Sequence, residues 1–531
     1  MKTTAFILLF LTIQPFFSFA QTLNWVKSIG GVSVEESGGI ATDRLNNLYI
    51  CGRFGGTVDF DPGPGVYNMS NQFSGIFFAK YDSSGEFKWG KQIPANGNVN
   101  IHATSISLSS TNEIILTGIH YGNVDVDPGN GIHILPSSGQ SLFIAKYDST
   151  GNFINAGECG SFGKAILDKY DNIIITGMFD NQIDIDPGPQ TVTKNSKGGS
   201  DIFLTKCDKD LNFMWGLSFG GFSSDQPFDL CTDDNGNIYL AGMASRNADL
   251  DPGTDSFIVS QNSSGFLLSL NSNGQFIRAK TAGTEIKNVV YEKGKLFYTV
   301  LASSSLYNII CSDTNFNSAP QWTGTLACSV SDIYLQNNHV YISGVFQNTV
   351  DFDPSPTKSK NVSSIGNKDI YLLCLDSLGK YVSHLNISNT PYEQIYLNGV
   401  NENILICGGF VSASNFSSWS TNQVLTSNGL TDIFLASYSF TSPLTEIHEE
   451  QIMSSIILYP NPTYENGTVF LKGMRNNFSI EIYDSKGSMI NLYQTSQNSN
   501  EIKIQGLMSG LYNILIKEDT GQQTVKKVFV R

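Results

Sequence analysis

Short runs of alternating apolar and polar residues fill most of the chain, and turns rich in Gly, Asn, Asp and Ser separate them. A period of two is typical of β-strands with one buried face, whereas the period of an amphipathic helix is nearly absent. The strand signals come in groups of four within roughly 60 residues, which is typical of one propeller blade. The pattern therefore predicts an all-β protein built from repeated four-stranded units.

The first unit illustrates the pattern. Gly38–Asp43 and Asn47–Phe54 predict its first two strands, and Gly75–Asp82 and Glu86–Ile93 predict the third and fourth. The second-strand signal recurs seven times, at Leu48, Ile114, Ile173, Ile238, Leu296, Val340 and Ile404. We therefore expect a seven-bladed β-propeller with four-stranded blades over residues 21–440.

The seventh unit has no fourth-strand signal after its third strand. The segment Leu23–Gly31 is similar to the fourth strands Glu86–Ile93 and Asn212–Gly221. We expect this N-terminal strand to complete the last blade and close the propeller, which protects two sheet edges.

A D-x-D-P-G motif, with Ser355 in place of the glycine in unit six, marks the connection between the second and third strands in five of the seven units. In the first motif, Pro62 sets the first corner of a turn, and we expect Gly63 to adopt the positive φ of a type II second corner. Asp61 is expected to accept the Gly63 amide hydrogen in an Asx turn. Val58 and Phe60 alternate with the aspartates and are expected to face inward.

Turn chemistry is the structural interpretation of the repeated aspartates, and a cation- or ligand-binding face is the functional alternative. Calcium needs six to eight oxygen ligands, more than one D-x-D supplies. The ten candidate residues are Asp59, Asp61, Asp125, Asp127, Asp184, Asp186, Asp249, Asp251, Asp351 and Asp353. Unit five lacks the motif between Leu301 and Leu306, and unit seven replaces it with Ser414–Ser417. The sector formed by units five and seven is therefore expected to differ in shape from the rest. Either a binding site or neutral drift can explain the difference.

Charge and cysteine content narrow the function classes. A net charge of −15 argues against nucleic-acid or anionic-membrane binding, which needs clustered Lys and Arg. The eight cysteines form no CxxC pair, and we expect buried free thiols rather than a disulfide framework. The six histidines are scattered, and no HExxH, G-x-S-x-G or phosphate-loop motif occurs. We therefore expect no catalytic residues and no cofactor, with Ca²⁺ as the one candidate ion.

The two ends of the chain differ from the repeats. Residues 1–20 combine Lys2, an apolar run and a small-x-small site before Gln21, which predicts a secretory signal peptide. No later segment is apolar enough to predict a membrane span. Residues 441–455 are polar and predict a linker, and residues 456–531 predict a small Ig-like β-sandwich.

The repeats resemble a known family. Ser74–Asp82 and Gly198–Asp208, each followed by a Trp-containing strand, are similar to the bacterial SBBP-type β-propeller repeats. This resemblance covers most of the chain and implies a propeller fold more than a function.

The C-terminal module resembles the type A sorting domain of the Bacteroidetes type IX secretion system. The residues that carry the resemblance are Tyr459, Pro460, Asn461, Pro462, Gly487, Gly510, Tyr512, Lys526 and Lys527. The resemblance implies engagement with the type IX machinery, export through the periplasm, and release or attachment at the cell surface.

We expect an exported, non-enzymatic propeller that binds a protein or glycan ligand. Two alternatives stay open at this point. One is a secreted carbohydrate-active enzyme whose site lies in the central funnel, and the other is a purely structural surface component.

Overall fold

The computed structural model divides the chain into two compact units after Thr441. The described residues of the N-terminal unit are 20–95, 101–137, 139–261, 263–316, 319–388, 394–416 and 423–441. Those of the C-terminal unit are 457–459, 469–472, 478–484, 489–494, 501–505, 507–518 and 523–530. The described residues of both units form strands and connecting turns, without a helix. Residues 1–19 of the predicted leader and 442–455 of the predicted linker lie outside the described residues.

Seven four-stranded antiparallel sheets make up the described part of the N-terminal unit. We number them 1 to 7 in chain order and name their strands inner, second, third and outer. The inner strands are Glu36–Thr42, Ile101–Leu108, Phe162–Leu167, Gln226–Thr232, Glu285–Glu292, Asp332–Gln336 and Ile395–Val400. The second strands are Leu48–Asp59, Ile114–Tyr121, Ile173–Phe179, Ile238–Ser245, Lys295–Ser303, His339–Phe346 and Asn403–Phe410.

The third strands are Asn68–Tyr81, Gln140–Tyr147, Asp201–Cys207, Ser263–Leu270, Leu306–Asp313, Asp369–Asp376 and Asp432–Thr441. The outer strands of sheets 1 to 6 are Phe87–Ile93, Phe153–Glu158, Phe213–Phe219, Phe276–Thr281, Trp322–Leu326 and Tyr381–Ile387. The outer strand of sheet 7 is Ala20–Ile29, which pairs antiparallel with Asp432–Thr441 from the other end of the unit. The N-terminal strand thus lies in the last sheet, where its sequence similarity to the other outer strands predicts it.

Short two-stranded hairpins extend several second-to-third-strand connections. They pair Val124–Asp125 with Ile134–Leu135, Gln182–Asp184 with Thr193–Asn195, Thr349–Asp351 with Asn361–Ser363, and Ala413–Asn415 with Val424–Thr426. In sheet 1 the same hairpin continues the main strands after a register shift between Phe54 and Gly56.

The inner strands of successive sheets contact one another, and the inner strand of sheet 7 contacts that of sheet 1. Polar side chains bridge these strands. The Asn288 amide donates to the Ser331 carbonyl at 3.0 Å, and the Asn398 amide donates to the Ile40 carbonyl at 3.3 Å. The second of these hydrogen bonds joins sheet 7 to sheet 1.

The apolar core lies between neighbouring sheets. One cluster combines Ile50 and Phe77 of sheet 1 with Cys407 and Leu435 of sheet 7, all at most 1% exposed. All eight cysteines are free thiols, seven of them buried and Cys231 half-buried, so the prediction of free rather than paired cysteines is confirmed. Burial raises the pKa of the Cys407 thiol to about 12, which keeps it protonated and unreactive.

At three junctions, a tryptophan on the outer strand donates a hydrogen bond to a turn of the next sheet. The Trp215 indole donates to the Ser272 carbonyl at 3.3 Å, and the Trp322 indole donates to the Ser377 carbonyl at 3.1 Å. Trp25 makes the same bond, at 3.1 Å, from the outer strand of sheet 7 to Ser83 of sheet 1. The same tryptophan hydrogen bond therefore joins sheet 7 to sheet 1 and joins sheets that are consecutive in the chain.

The C-terminal unit contains two antiparallel sheets. A three-stranded sheet has the order Ile457–Tyr459, Val469–Lys472, Glu501–Ile504, and a four-stranded sheet has the order Met489–Gln494, Phe478–Tyr483, Gly510–Glu518, Gln523–Val530. Leu471 and Ile504 of the first share one core with Ile480, Ile516 and Val528 of the second.

Candidate binding sites

The five D-x-D-P-G loops share one hydrogen-bond network. In sheet 1, Asp59 Oδ1 accepts the amide hydrogens of Asp61 at 3.0 Å and of Tyr67 at 2.8 Å, and Asp61 Oδ1 accepts that of Gly63 at 2.8 Å. Equivalent bonds are made by the aspartates of the other four loops, Asp125, Asp127, Asp184, Asp186, Asp249, Asp251, Asp351 and Asp353. The predicted Asx turn is confirmed, and the buried Val58 and Phe60 side chains face inward as predicted.

The expected positive φ at Gly63 is wrong, because this glycine lies outside the left-handed region. The Asx turn closes through the Asp61 side chain and does not require a type II corner. Ser355 occupies the equivalent position in sheet 6 and donates the same hydrogen bond to Asp353 at 3.0 Å. A Cβ on Gly65, two residues further on, would lie 2.2 Å from Asp61 Oδ2, so close contact rather than backbone angle restricts this loop.

The aspartates of the loops are half-buried, and Asp186 is buried. Asp184 and Asp186 line a cavity of about 830 Å³ together with Glu158 and Asp210. Within the described residues, no three His, Cys, Asp or Glu side chains are grouped so as to hold a metal ion. The geometry gives each aspartate a role in loop closure, and cation binding by these ten residues stays a prediction.

The short connection of sheet 5 leaves an open cavity. A two-residue turn, Ser304-Ser305, replaces the loop found in other sheets, and the cavity next to it has a volume of about 840 Å³. Its polar lining includes Glu285, Lys287, Gln347, Asn348, Lys368 and Gln394. The cavity therefore lies in the sector that the missing motif marks as different.

Within this cavity, Glu285 and Lys287 lie two positions apart, on the same face of the inner strand of sheet 5. Their charged groups are 3.5 Å apart, and the Lys287 ammonium lies 5.8 Å from the centre of the Tyr307 ring. Burial opposes the charge on Lys287, but Tyr307 and Glu285 hold its pKa above the ordinary value. Glu285 Oε2 is the atom that pairs with Lys287, and among the described residues this buried oxygen accepts no hydrogen bond, so it can accept a hydroxyl or amide hydrogen from a ligand. No sequence motif marks this pair; only the missing loop directs attention to its sheet.

A second cavity, of about 460 Å³, is lined by residues from all seven sheets. Lys164 of sheet 3 forms an ion pair with Asp229 of sheet 4 in its wall. Asp332 accepts the Leu397 amide hydrogen at 2.8 Å, and desolvation raises the pKa of Asp332 to about 7. Three residues, Lys287, Ser331 and Tyr396, line both this cavity and the sheet 5 cavity, so the two cavities adjoin there.

The buried His120 is partnered on both ring nitrogens. Nε2 lies 2.6 Å from Glu158 Oε1, and Nδ1 lies 2.7 Å from the Gly122 carbonyl oxygen. Because both ring nitrogens have partners, we assign His120 a structural role.

Four of the candidate sorting residues, Pro460, Asn461, Pro462 and Gly487, lie outside the described residues. Tyr459, Gly510 and Tyr512 lie in strands, as do Lys526 and Lys527 of the last strand. The Tyr512 hydroxyl donates to the Met508 carbonyl at 2.9 Å and secures the turn that precedes its strand.

The described residues contain no helix of the length and hydropathy needed to cross a membrane. The chain is similar to an uncharacterized WD repeat-containing protein, L264, of Acanthamoeba polyphaga mimivirus, with 28% identity over 244 residues. The matched part is 39% of this chain and only 17% of the viral protein, so the chain spans a small fraction of that relative.

Two solved structures show distant likeness. BamB from Moraxella catarrhalis has a TM-score of 0.36 and 10% identity, with coverage of 76% of this chain and 96% of BamB. PorZ, a surface component of the type IX secretion system of Porphyromonas gingivalis, has a TM-score of 0.25 and 9% identity, with coverage of 95% of this chain and 100% of PorZ. These scores are too low to assign a function.

The C-terminal unit gives the most specific match. Residues 457–531 match the family described as the secretion system C-terminal sorting domain, which indicates export by type IX secretion to the cell surface or the medium.

Proposed function

We propose that the N-terminal unit is a seven-bladed β-propeller of SBBP-like repeats, closed by its N-terminal strand, that acts as a non-enzymatic binding module. The seven four-stranded sheets and the contact between the inner strands of sheets 7 and 1 support this architecture. A predicted leader, residues 1–20, brings the chain to the periplasm, and an Ig-like C-terminal sandwich directs it onward.

The observation that carries the binding role is the polar cavity beside the Ser304-Ser305 turn. Its volume of about 840 Å³ lies within the range of small-molecule sites, and it opens where the repeat pattern is interrupted. Amide side chains beside the Glu285–Lys287 pair offer both donors and acceptors, which suits the hydroxyl groups of a glycan. We infer that the ligand is a glycan chain, bound without cleavage.

A glycan-array screen of the mature chain, with and without Ca²⁺, tests the binding role. Glu285→Gln and Lys287→Gln should each weaken the binding of any captured glycan by about tenfold or more, because each removes the charge that strengthens hydrogen bonds between this pair and a ligand. Lys293→Gln is the matched control: Lys293 is exposed in a turn of the same sheet, outside the residues that line the cavity. Binding that is equally sensitive to all three changes, or no binding to any glycan, would contradict the proposal.

Deletion of residues 456–531 tests sorting separately. The truncated protein should accumulate in the periplasm, whereas the full chain should reach the surface or the medium. Normal export of the truncated protein would refute the sorting role without bearing on the cavity.

A further inference from the structure

The cavity of about 460 Å³ is surrounded by the seven inner strands, and we call it the channel cavity. Each inner strand contacts the next one around the ring, and side chains bridge six of the seven junctions. Thr104 Oγ1 of sheet 2 donates to the Gly163 carbonyl of sheet 3 at 2.9 Å. Asp229 of sheet 4 accepts the Val289 amide hydrogen of sheet 5 at 2.8 Å. The other bridges join Lys164 to Asp229, Asn288 to Ser331, Asp332 to Leu397, and Asn398 to Ile40.

At the remaining junction, between sheets 1 and 2, the two backbones approach each other directly. A Cβ on Gly38 would collide with the Ala103 carbonyl oxygen, so glycine is the residue that fits there. The described residues thus form a wall that is continuous across all seven junctions. A polymer cannot pass sideways through such a wall. It can enter the channel cavity only along the axis of the ring, with one of its ends first.

The sheet 5 cavity lies at one end of the channel cavity. Glu285 is the first residue of its inner strand, Gln394 directly precedes the inner strand of sheet 7, and both line the sheet 5 cavity. Asn288 and Leu397, further along the same two strands, line the channel cavity. Because the two cavities adjoin, a chain bound in the sheet 5 cavity has a direct path for its end into the channel cavity.

The charged groups in the two cavities nearly balance. The walls carry three basic and three acidic side chains, namely Lys164, Lys287, Lys368, Asp229, Glu285 and Asp332. Lys164 pairs with Asp229, and Lys287 pairs with Glu285. Because desolvation raises the pKa of Asp332 to about 7, protonation of Asp332 changes the balance by one charge at most. Such walls suit an uncharged chain, and the net charge of −15 of the whole protein repels polyanions.

Hydroxyl and amide groups fill the rest of the polar wall of the channel cavity. They come from Thr104, Ser105, Ser107 and Asn288. Groups of this kind both donate and accept hydrogen bonds, as the hydroxyl groups of a sugar do. The volume of about 460 Å³ lies within the range of small-molecule sites.

We propose that the ligand is a neutral glycan bound by one of its ends, with the terminal sugar in the channel cavity and the following sugars in the sheet 5 cavity. This inference rests on the proposed glycan-binding role and adds the class of glycan and the direction in which it binds. The two ends of a glycan differ chemically, so one of them enters.

The number of proteins bound per glycan chain tests this binding mode. Analytical ultracentrifugation of the mature chain uses length series of four neutral glycans, β-1,4-glucan, β-1,3-glucan, α-mannan and β-galactan, and a series of oligogalacturonates. At least one neutral series should bind, with one protein per glycan chain from short oligomers to the long polymer. A protein that binds internal segments would instead bind in numbers that grow with chain length. Oligogalacturonates should bind about tenfold more weakly or less.

Ser107→Phe tests the channel cavity directly. Ser107 lines the channel cavity on the inner strand of sheet 2 and does not line the sheet 5 cavity. A phenyl ring there would occupy the space of the terminal sugar, so the neutral glycan should bind about tenfold more weakly or less. Ser256→Phe is the matched control and should bind as the natural chain does. Ser256 is exposed in a loop of sheet 4, outside the lining of both cavities.

Three results would overturn end-on binding of a neutral glycan and leave the proposed binding role intact. They are binding by none of the four neutral series, a number of bound proteins that grows with glycan length, and tighter binding of oligogalacturonates than of every neutral series. Natural affinity in a folded Ser107→Phe variant would overturn it as well. A glycan array without any binding would refute the proposed function itself.

Discussion

Replacing Gly85 with alanine tests how tightly sheet 7 meets sheet 1. Gly85 has a φ of +78° in the third-to-outer turn of sheet 1, and a Cβ there would lie 3.0 Å from the Trp25 ring. The left-handed backbone costs an alanine about 1–2 kcal/mol. Crowding a packed aromatic side chain adds about 1 kcal/mol or more. We therefore expect Gly85→Ala to lower the free energy of unfolding by about 2–3 kcal/mol.

Gly294→Ala provides the matched control. Gly294 has a φ of +81°, but a Cβ there would have no neighbour within 4 Å. This variant should therefore cost only the backbone contribution of about 1–2 kcal/mol. The difference between the two variants measures the contact with Trp25.

Equilibrium unfolding in urea, at an unchanged m-value, gives both costs. In a Trp25→Ala background, the cost of Gly85→Ala should fall to that of Gly294→Ala, because the crowded ring is gone. Equal costs for the two glycine variants in the natural background would refute the reasoning and, with it, the packing of Trp25 on sheet 1.

Two further predictions concern aspartates. Desolvation raises the pKa of Asp332 from an ordinary 3.8 to about 7, so between these values the folded chain holds a proton that the unfolded chain has lost. The free energy of unfolding should therefore fall as the pH rises from 4 to 7, by no more than about 1.4 kcal/mol per pH unit. Asp332→Asn should flatten this part of a thermal-melt pH profile, and an unaltered slope would contradict the assignment. Asp249→Ala leaves the Asp251 and Phe257 amides without their acceptor, so it should lower the free energy of unfolding in urea by about 1–3 kcal/mol. Asp255 is exposed in the same loop, and Asp255→Ala should lower it by less than about 0.5 kcal/mol. Equal costs would exclude a role in loop closure.

Strand positions and the Asx turns follow from local chemistry and could be predicted from the sequence. The second-strand signals at Leu48, Ile114 and Ile404 coincide with second strands of sheets, with a difference of one residue at Ile404. Alternation and turn residues act within a few positions, so one sequence suffices to recognise them. The similarity of Leu23–Gly31 to other outer strands likewise predicted its place beside Asp432–Thr441.

The cavities and buried acid pairs could not be predicted in the same way. A Cβ on Gly220 would lie 2.5 Å from Asp201 Oδ1 and 2.8 Å from Asp225 Oδ2, so these two buried acids meet at the junction of sheets 3 and 4. Nothing in the local sequence of either residue signals the other. Lys164 and Asp229 lie in different units of the repeat for the same reason. The predicted φ of Gly63 was wrong because a Pro-Gly pair suggests a type II turn, whereas the side chain of Asp61 closes this turn.

The outer strand of sheet 7 has a consequence for the order of assembly. The side-chain contact between Asn24 and Ser437 spans 413 positions, so this sheet depends on contacts of very high sequence separation. Such contacts form late, because the chain must lose the most entropy to bring their partners together. During synthesis and export, sheets 1 to 6 can form from neighbouring segments while the third strand of sheet 7 presents a bare edge. A chain interrupted at this stage offers that edge to another copy, so arrested chains should be prone to strand exchange.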